Sequence, residues 1–462
     1  MPSPNAVLTR NPLAGGHVEP GLRVLVLGYG REGSSAAHWL ADKGASITVA
    51  DSNLHETSRL SDQVVLAPED LSLLDSADVL VVSPGIPATN PLLREAVRRG
   101  LGISSATQIF FALCPCPIVG ITGSSGKSTT TALIGVMLQA ANYNTTVAGN
   151  IGIPMLDMLE GLTSDSVAVL ELSSFQLECL TQSPHVAVVT NLSPNHLDRH
   201  GSMQAYAEAK KQILDHQSTG DVAVLNWTDP LLRTWGEHAT GEVRWFRGEK
   251  SDSTAFLSGG VVWVLTASGH EPVLPVTQIP VKGEHNVENV LAAVAAAHAM
   301  NVPADAMRSA VLGFRGLPHR LHVVARHDGI TYIDDSIATS PERMAVGLRA
   351  VTGPVVLIAG GRSKHLPWDP AVAAASNHVK AIVVIGEAAG EVENAFQPAN
   401  GGIPVKIAGS MSDAVGLARS LAVSGDSVLL SPGCTSYDMF KDFEERGKAF
   451  ASAIEEIYGI DI

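Results

Sequence analysis

The sequence predicts an α/β protein of three consecutive units, each a mostly parallel sheet covered by helices. Three observations predict it. Short apolar runs alternate with helical patterns along most of the chain, the pattern left by strand–helix–strand crossovers. At 462 residues the chain is too long for one core. Two glycine-rich turns, Gly28–Gly33 and Gly123–Gly126, each follow an apolar run and open a helical pattern.

The elements follow in order. Residues 1–21 are rich in proline and glycine, lack an apolar signal core and read as a disordered lead-in. The first unit, 22–113, carries strand runs at Arg23–Leu27, Ser46–Ala50 and Ala77–Ser83, with a helical pattern from Ser34 to Lys43. This is a Rossmann-like alternation. Phe110 to Pro117 breaks the pattern and reads as a linker. The second unit, 114–316, is a mononucleotide-binding, P-loop type of sheet. It opens on Pro117–Ile121, continues with strand runs at Val167–Glu171, Val186–Thr190 and Val222–Leu225, and holds a β-rich insertion from Val243 to Val276. An alanine-rich helix covers Ala292 to Met300. The third unit, 317–462, is again Rossmann-like, with strand runs at Thr331–Asp334, Val355–Ala359, Ala381–Ile385 and Ser427–Ser431. No short-period repeat is present.

Composition removes several function classes. Apolar residues at 45% and charged residues at 17% describe a globular chain rather than a disordered one. A net charge of −15 argues against nucleic acid or an anionic membrane as the main partner. No apolar run reaches the length of a membrane span. Four cysteines do not make a disulfide framework, and Cys114-Pro-Cys116 lacks the second pair a zinc site needs. A reducing, cytoplasmic setting fits.

The chemistry concentrates at Ile118-Val-Gly-Ile-Thr-Gly-Ser-Ser-Gly-Lys-Ser-Thr-Thr130. A strand, a glycine turn and a helix start in that order cradle phosphate. Backbone N–H groups face the anion, Lys127 reaches the β/γ-phosphates and the Ser128 hydroxyl can hold Mg²⁺. The glycines fall at 120, 123 and 126, so the spacing departs from the strict P-loop pattern. In the first unit, Gly28-Tyr-Gly30-Arg-Glu-Gly33 with Asp51 downstream fits a dinucleotide fingerprint. The physical requirement is only a pyrophosphate at a helix N-terminus, so a UDP-type ligand satisfies it as well as NAD. Glu171 ends a buried run where a Mg²⁺ ligand is expected opposite a phosphate loop. His196 follows the next strand. His196 and His200 are four apart, but Leu197 stands where a zinc-protease helix needs glutamate, which excludes that reading.

These motifs accumulate into a resemblance. Thr122–Thr129, Gly149-Asn-Ile-Gly152, Glu171–Gln176, Asn191 with His196-Leu-Asp198, Tyr206 with Lys210, Gly283–Asn289, Gly316–Arg320, Asp335-Ser336 and the ending Leu430–Gly447 are similar to the Mur ligase family. These are ATP-dependent amide-forming enzymes of peptidoglycan precursor synthesis, and the likeness covers nearly the whole chain beyond residue 21. It implies glutamate addition to the carboxylate of UDP-N-acetylmuramoyl-L-alanine through an acyl phosphate, by a monomer, with ATP and two Mg²⁺ ions. Gly123, Ser124, Ser125, Gly126, Lys127, Ser128 and Thr129 would bind the phosphates. Asn289, Arg320 and Asp335 would contact the nucleotide, seated between the second and third units. Ser128, Glu171, His196 and Lys210 would serve the metals, with Lys210 carbamylated. Lys127, Glu171, His196 and Lys210 are thereby the implied catalytic set. Arg31, Glu32, Ser52 and Ser83 fall where relatives hold UDP, and Asn150 near metal and muramoyl group. Thr339, Lys364, Ser436 and Phe443 fall where relatives hold the incoming glutamate. Asn195 stands where many relatives have Asp, and Ile337 where well-known relatives have Lys, which leaves D- against L-glutamate open. Competing readings are another ligase of this fold, such as a folylpolyglutamate synthase, a nucleotide-switch binding protein without turnover, and a dehydrogenase.

Overall fold

The computed structural model describes residues 13, 18–54, 56–250, 253–281, 283–364, 366–376, 378–396 and 403–460. Three sheets follow one another along the chain, as the alternation predicts. The first contains β1 (Arg23–Leu27), β2 (Ser46–Ala50), β3 (Ser58–Arg59), β4 (Val64–Ala67), β5 (Val79–Val82) and β6 (Gly102–Ser104). Their order is β3-β4-β2-β1-β5-β6, parallel except for the edge strand β3.

The middle sheet contains β7 (Ile118–Thr122), β8 (Asn144–Gly149), β9 (Ser166–Glu171), β10 (Val186–Val189), β11 (Val222–Asn226), β12 (Glu242–Phe246), β13 (Ala255–Ser258), β14 (Val261–Thr266) and β15 (Gly269–Pro275). The order β15-β14-β13-β12-β11-β10-β7-β9-β8 puts β7 between β9 and β10. The chain leaves β7 for β8 on one side and returns to β10 on the other. That reversal opens a crevice at the carboxyl ends of the strands, where such sheets bind ligands. The last strands, β13 to β15, form the antiparallel insertion expected from the aromatic and β-branched stretch. The alanine-rich helix begins earlier than the pattern implied, at Glu284–Ala299, and its buried alanines let it lie close against the helix Lys127–Ala140.

The third sheet contains β16 (His322–His327), β17 (Ile330–Asp334), β18 (Val355–Gly360), β19 (Val379–Ile385), β20 (Val405–Ile407) and β21 (Ser427–Leu430). The order is β16-β17-β21-β18-β19-β20, with β16 alone antiparallel.

Two compact units result, Met1–Phe314 and Arg315–Ile462, so the first two sheets belong to one body. One continuous apolar cluster runs from Val24, Val26 and Ile109 of the first sheet's layer to Leu170, Leu172 and Leu225 of the middle sheet's. Polar clasps reinforce it. Ser35 donates to Asp157 at 2.5 Å, Lys43 pairs with Glu160 at 2.9 Å, and the Arg199 guanidinium donates to the Gly85 carbonyl at 2.8 Å.

Two sequence expectations are corrected. The linker assigned to Phe110–Pro117 starts inside a helix, Ala106–Leu113, whose Phe110 is fully buried. Apolar neighbours outweighed the broken pattern, and only Cys114–Pro117 connects the sheets. The lead-in lies largely outside the described residues, but Leu13 and Val18 within it are buried against the first core, so the chain is packed at those positions. The cysteines are free, as expected, with Cys114 Sγ 3.5 Å from Cys116 Sγ. Among the described residues no helix is long and apolar enough to cross a membrane.

Candidate active site

Parallel register lines up the chemistry. Ile121 of β7 pairs with Glu171 of β9, Glu171 pairs with Gly149 of β8, and Thr122 pairs with Val189 of β10. The residues after these positions therefore emerge together along one sheet edge. The turn between β7 and its helix needs glycine twice. Gly123 has φ 146° and Gly126 φ 78°. A Cβ on Gly123 would strike the Thr190 hydroxyl, and one on Gly126 would strike the Asn289 amide. Asn289, from the distant helix Glu284–Ala299, is thereby seated on the loop.

The loop is held from below and left open above. Ser125 N–H donates to Asn191 Oδ1 at 3.0 Å, the Thr190 hydroxyl donates to the Ser125 carbonyl at 2.7 Å, and the Ser124 hydroxyl donates to the Ser193 carbonyl at 2.8 Å. The helix Lys127–Ala140 starts without a side-chain cap, so its first N–H groups keep the capacity to bind an anion. Lys127 Nζ curls over the turn onto the Gly123 and Ser124 carbonyls, at 3.0 and 3.4 Å. Ser128 is buried at the helix start and Thr129 follows it.

Beside the loop, Glu171 is 1% exposed. Its Oε1 accepts from Asn150 Nδ2 at 2.7 Å, while its buried Oε2 has no hydrogen-bond partner. A carboxylate oxygen left so is costly unless a cation or donor meets it. Lys210 is equally buried, its Nζ donating to the Thr122 hydroxyl at 3.0 Å and lying 4.9 Å above the Tyr206 ring. Burial foremost, then the nearby Lys127 charge, pulls the Lys210 amine well below the ordinary lysine value, with Glu171 opposing. Glu171 and Ser128 thus suit a hard cation, with one unpaired carboxylate oxygen and one hydroxyl at the phosphate loop, whereas the Lys210 amine as it stands offers no oxygen to one. No three His, Cys, Asp or Glu side chains cluster as a ligand set among the described residues. Such a sparse set is the one Mg²⁺ uses, since it keeps waters and substrate phosphates.

His196 is exposed, with φ 52°, and stands edge-on to the Phe175 ring at 5.3 Å. The Asn195 side-chain Oδ1 accepts the His196 N–H at 2.9 Å, so a neutral side chain does order this turn. His200 is directed elsewhere, onto Ser174 and Glu178 and stacked on Phe175.

The first sheet's glycine turn is built differently. Asp51 accepts the Tyr29 N–H at 2.7 Å, and the Ser83 hydroxyl donates to the Gly28 carbonyl at 2.9 Å. The Arg31 guanidinium donates to the carbonyls of Gly149 and Gly152 at 2.8 and 3.0 Å, tying this turn to the loop that carries Asn150. Glu32 accepts from Gln176 at 2.7 Å, and burial pushes its carboxyl up to about 7. Ser52 is exposed after β2.

In the carboxy-terminal unit Asp335 and Thr339 follow β17, Lys364 follows β18, Ser436 and Phe443 follow β21, and Arg320 precedes β16. Asp335 accepts from Ser431 Oγ at 2.9 Å, and burial pushes its carboxyl up to about 7, with Arg320 opposing. Lys364 Nζ is 3.4 Å from Thr339 Oγ1. Ser436 is buried, and Phe443 packs edge-on to His319 while its carbonyl accepts from Ser336 at 2.8 Å.

Sequence reasoning assigned no role to Tyr206 or Arg446. Tyr206 lies under Lys210, and its hydroxyl is 3.1 Å from Ser124 Oγ. The four-residue spacing on one helix face was the available signal. Arg446 is fully buried and donates to the Ser336 hydroxyl and carbonyl at 3.0 and 2.8 Å and to the Cys434 carbonyl at 3.1 Å, tying the segment after β17 to the segment after β21. It falls inside the Leu430–Gly447 ending already singled out, but nothing local marks it as buried.

Comparison with known proteins agrees with this architecture. Residues 22–105 match the MurD-like N-terminal domain of Mur ligases, 121–297 the Mur ligase middle domain, and 319–434 the Mur ligase glutamate ligase domain. The UDP-N-acetylmuramoylalanine–D-glutamate ligase of Symbiobacterium thermophilum is 40% identical over 448 residues, covering 94% of this chain and 98% of that protein. The enzyme of the same name from Pelotomaculum thermopropionicum is 40% identical over 444 residues, covering 94% and 97%. Among solved structures, UDP-N-acetylmuramate–alanine ligase of Thermotoga maritima shares the fold with a TM-score of 0.57 at 18% identity, covering 94% of this chain and 100% of that one. MurF ligase of the same organism, crystallised with ADP, gives 0.53 at 17%, covering 98% and 99%. With three matched domains in order, a phosphate loop beside an unpaired buried carboxylate, and near-full-length relatives at 40% identity, the chain belongs to the Mur ligase family, in the branch of the UDP-N-acetylmuramoylalanine–D-glutamate ligases.

Proposed function

We infer that this chain joins D-glutamate to UDP-N-acetylmuramoyl-L-alanine at the expense of ATP, in peptidoglycan precursor synthesis. The observation that carries the reading is Glu171, a buried carboxylate with one unpartnered oxygen, on the sheet edge where the phosphate loop, Lys127 and Lys210 converge. We assign the UDP moiety to the unit 22–113, with Arg31, Glu32, Ser52 and Ser83, ATP to 114–316, and the amino acid to 317–462.

A carboxylate is a poor electrophile until its oxygen becomes part of a leaving group. The muramoyl-alanine carboxylate attacks the γ-phosphorus, ADP departs, and the glutamate amine then displaces phosphate from the acyl phosphate. Two anions must meet in the first step. Unit charges about 4 Å apart repel by about 4 kcal/mol at intermediate dielectric. The loop N–H groups and Lys127 offset this and hold the phosphoryl group in line. Two Mg²⁺ ions, held by Ser128, Glu171, His196 and Lys210, would add charge neutralisation. Asn150 fixes the Glu171 carboxylate. Asn289, Arg320 and Asp335 orient the nucleotide, and Thr339, Lys364, Ser436 and Phe443 orient the amino acid. We propose that Lys210 acts as a carbamate. Its neutral amine adds to CO₂, forming a C–N bond and releasing a proton, which turns a buried amine near Lys127 into an anionic oxygen donor. A monomer in the cytoplasm completes the reading.

Phosphate release measured with UDP-N-acetylmuramoyl-L-alanine and each glutamate enantiomer in turn tests this. Release that depends on D-glutamate is the expected result. Release with L-glutamate alone, or without any amino acid, overturns it.

A further inference from the structure

The carboxyl edge of the third sheet holds two cations that face one loop. Arg343 Nη1 is 3.5 Å from the Ile337 carbonyl, and Lys364 Nζ is 3.4 Å from Thr339 Oγ1. Both side chains are exposed, and among the described residues neither forms an ion pair. The other cations of this edge are differently placed. Arg362 is clamped by both oxygens of Glu387, at 3.0 Å each. Arg446 is buried and spends its guanidinium on Ser336 and Cys434. Two like charges drawn to the same three residues repel each other, and the Lys364 pKa is lowered by partial burial first and by the Arg343 charge second. An arrangement of that kind is relieved by an anion lodged between the heads.

We propose that Arg343, together with Lys364, seats a carboxylate of the incoming amino acid, so that Arg343 is a determinant of specificity for an acidic acceptor. The proposal rests on the ligase reading above and adds a residue to it. A guanidinium offers two parallel donors to a carboxylate, which an ammonium does not. The loop 337–339 beneath supplies backbone and hydroxyl groups that fix where the two heads stand. The placement of Arg343 follows from the helix Pro341–Ala350: Ser340 caps it by accepting the Arg343 backbone N–H, so the side chain is free to reach back over the loop.

The experiment compares the full-length enzyme with Arg343→Ala and Arg343→Lys, measuring phosphate release against glutamate, glutamine and ATP concentration. The expected result is a rise in KM for glutamate of about tenfold in R343A, partial recovery in R343K, an unchanged KM for ATP, and a reduced preference for glutamate over glutamine. An R343A enzyme with the wild-type glutamate KM and the wild-type preference overturns the inference while leaving the ligase reading intact. Wild-type enzyme with no glutamate-dependent release overturns both. Because the side chain is exposed and the helix cap uses only its backbone, R343A is expected to fold. Should it not, Arg343→Gln gives the same readout.

Discussion

The two glycine turns share a local pattern of strand, glycines and an uncapped helix start, yet they have opposite surroundings. The turn at Gly28–Gly33 is flanked by carboxylates. Asp51 occupies the Tyr29 N–H, Glu32 is buried beside it, and Arg31 is turned away to the carbonyls of Gly149 and Gly152. The turn at Gly123–Gly126 is flanked by amines. Lys127 lies on the loop and Lys210 next to it, with one carboxylate, Glu171, facing them half-satisfied. An uncapped helix start attracts any phosphate, but only the second turn is equipped to neutralise a triphosphate and a metal. The glycine pattern selects a backbone shape, and the charges brought by other strands select the ligand.

The largest effect that can break this contrast is loss of Lys127. Lys127→Ala is expected to lower glutamate-dependent ADP release by about 10³-fold or more, the scale of removing a preorganised charge from a phosphoryl-transfer site. A steady-state assay with a coupled ADP readout checks it, and robust turnover would make the two turns equivalent.

Next in size is a steric comparison inside the first turn. A Cβ on Gly33 would run into the Gly28 carbonyl oxygen and lie 2.6 Å from Ser83 Oγ, whereas one on Gly30 meets nothing within 4 Å. Gly33→Ala should therefore destabilise the unit by about 2–3 kcal/mol, and Gly30→Ala by less than about 0.5 kcal/mol. Urea unfolding of both variants measures the difference, and equal midpoints would show that the turn relaxes.

Of similar size is a pH dependence at the same turn. The Glu32 carboxyl is raised from an ordinary 4.5 to about 7, chiefly by burial. The folded state therefore holds this proton more tightly than the unfolded one. Stability falls as pH climbs from about 4.5 through about 7 and stays lower above. Glu32→Gln removes that slope, so the variant should gain about 3 kcal/mol over the wild type at pH 8 and nearly nothing at pH 4.5. Parallel stability curves for the two proteins would mean that Gln176 and Arg31 compensate the buried charge.

Much of this protein was determined by its sequence. The strand runs, their alternation with helices and the phosphate-loop context follow from side-chain periodicity and glycine placement, which act over a few residues, so Glu171, Lys127 and the three sheets were legible. What only the tertiary structure decided lies in contacts between residues far apart in the chain. The merging of the first two sheets into one body depends on Arg31, Ser35 and Arg199 meeting partners more than a hundred residues away. The helical state of Phe110 was fixed by its burial against both layers. The orphan oxygen of Glu171 and the seat of Asn289 against Gly126 in the first compact unit, and the buried Arg446 in the second, arise because within each unit the fold brings separate segments together. Local pattern sets what each segment can become. Charge, burial and hydrogen-bond satisfaction depend on which segments end up adjacent, and a one-dimensional reading does not contain that adjacency.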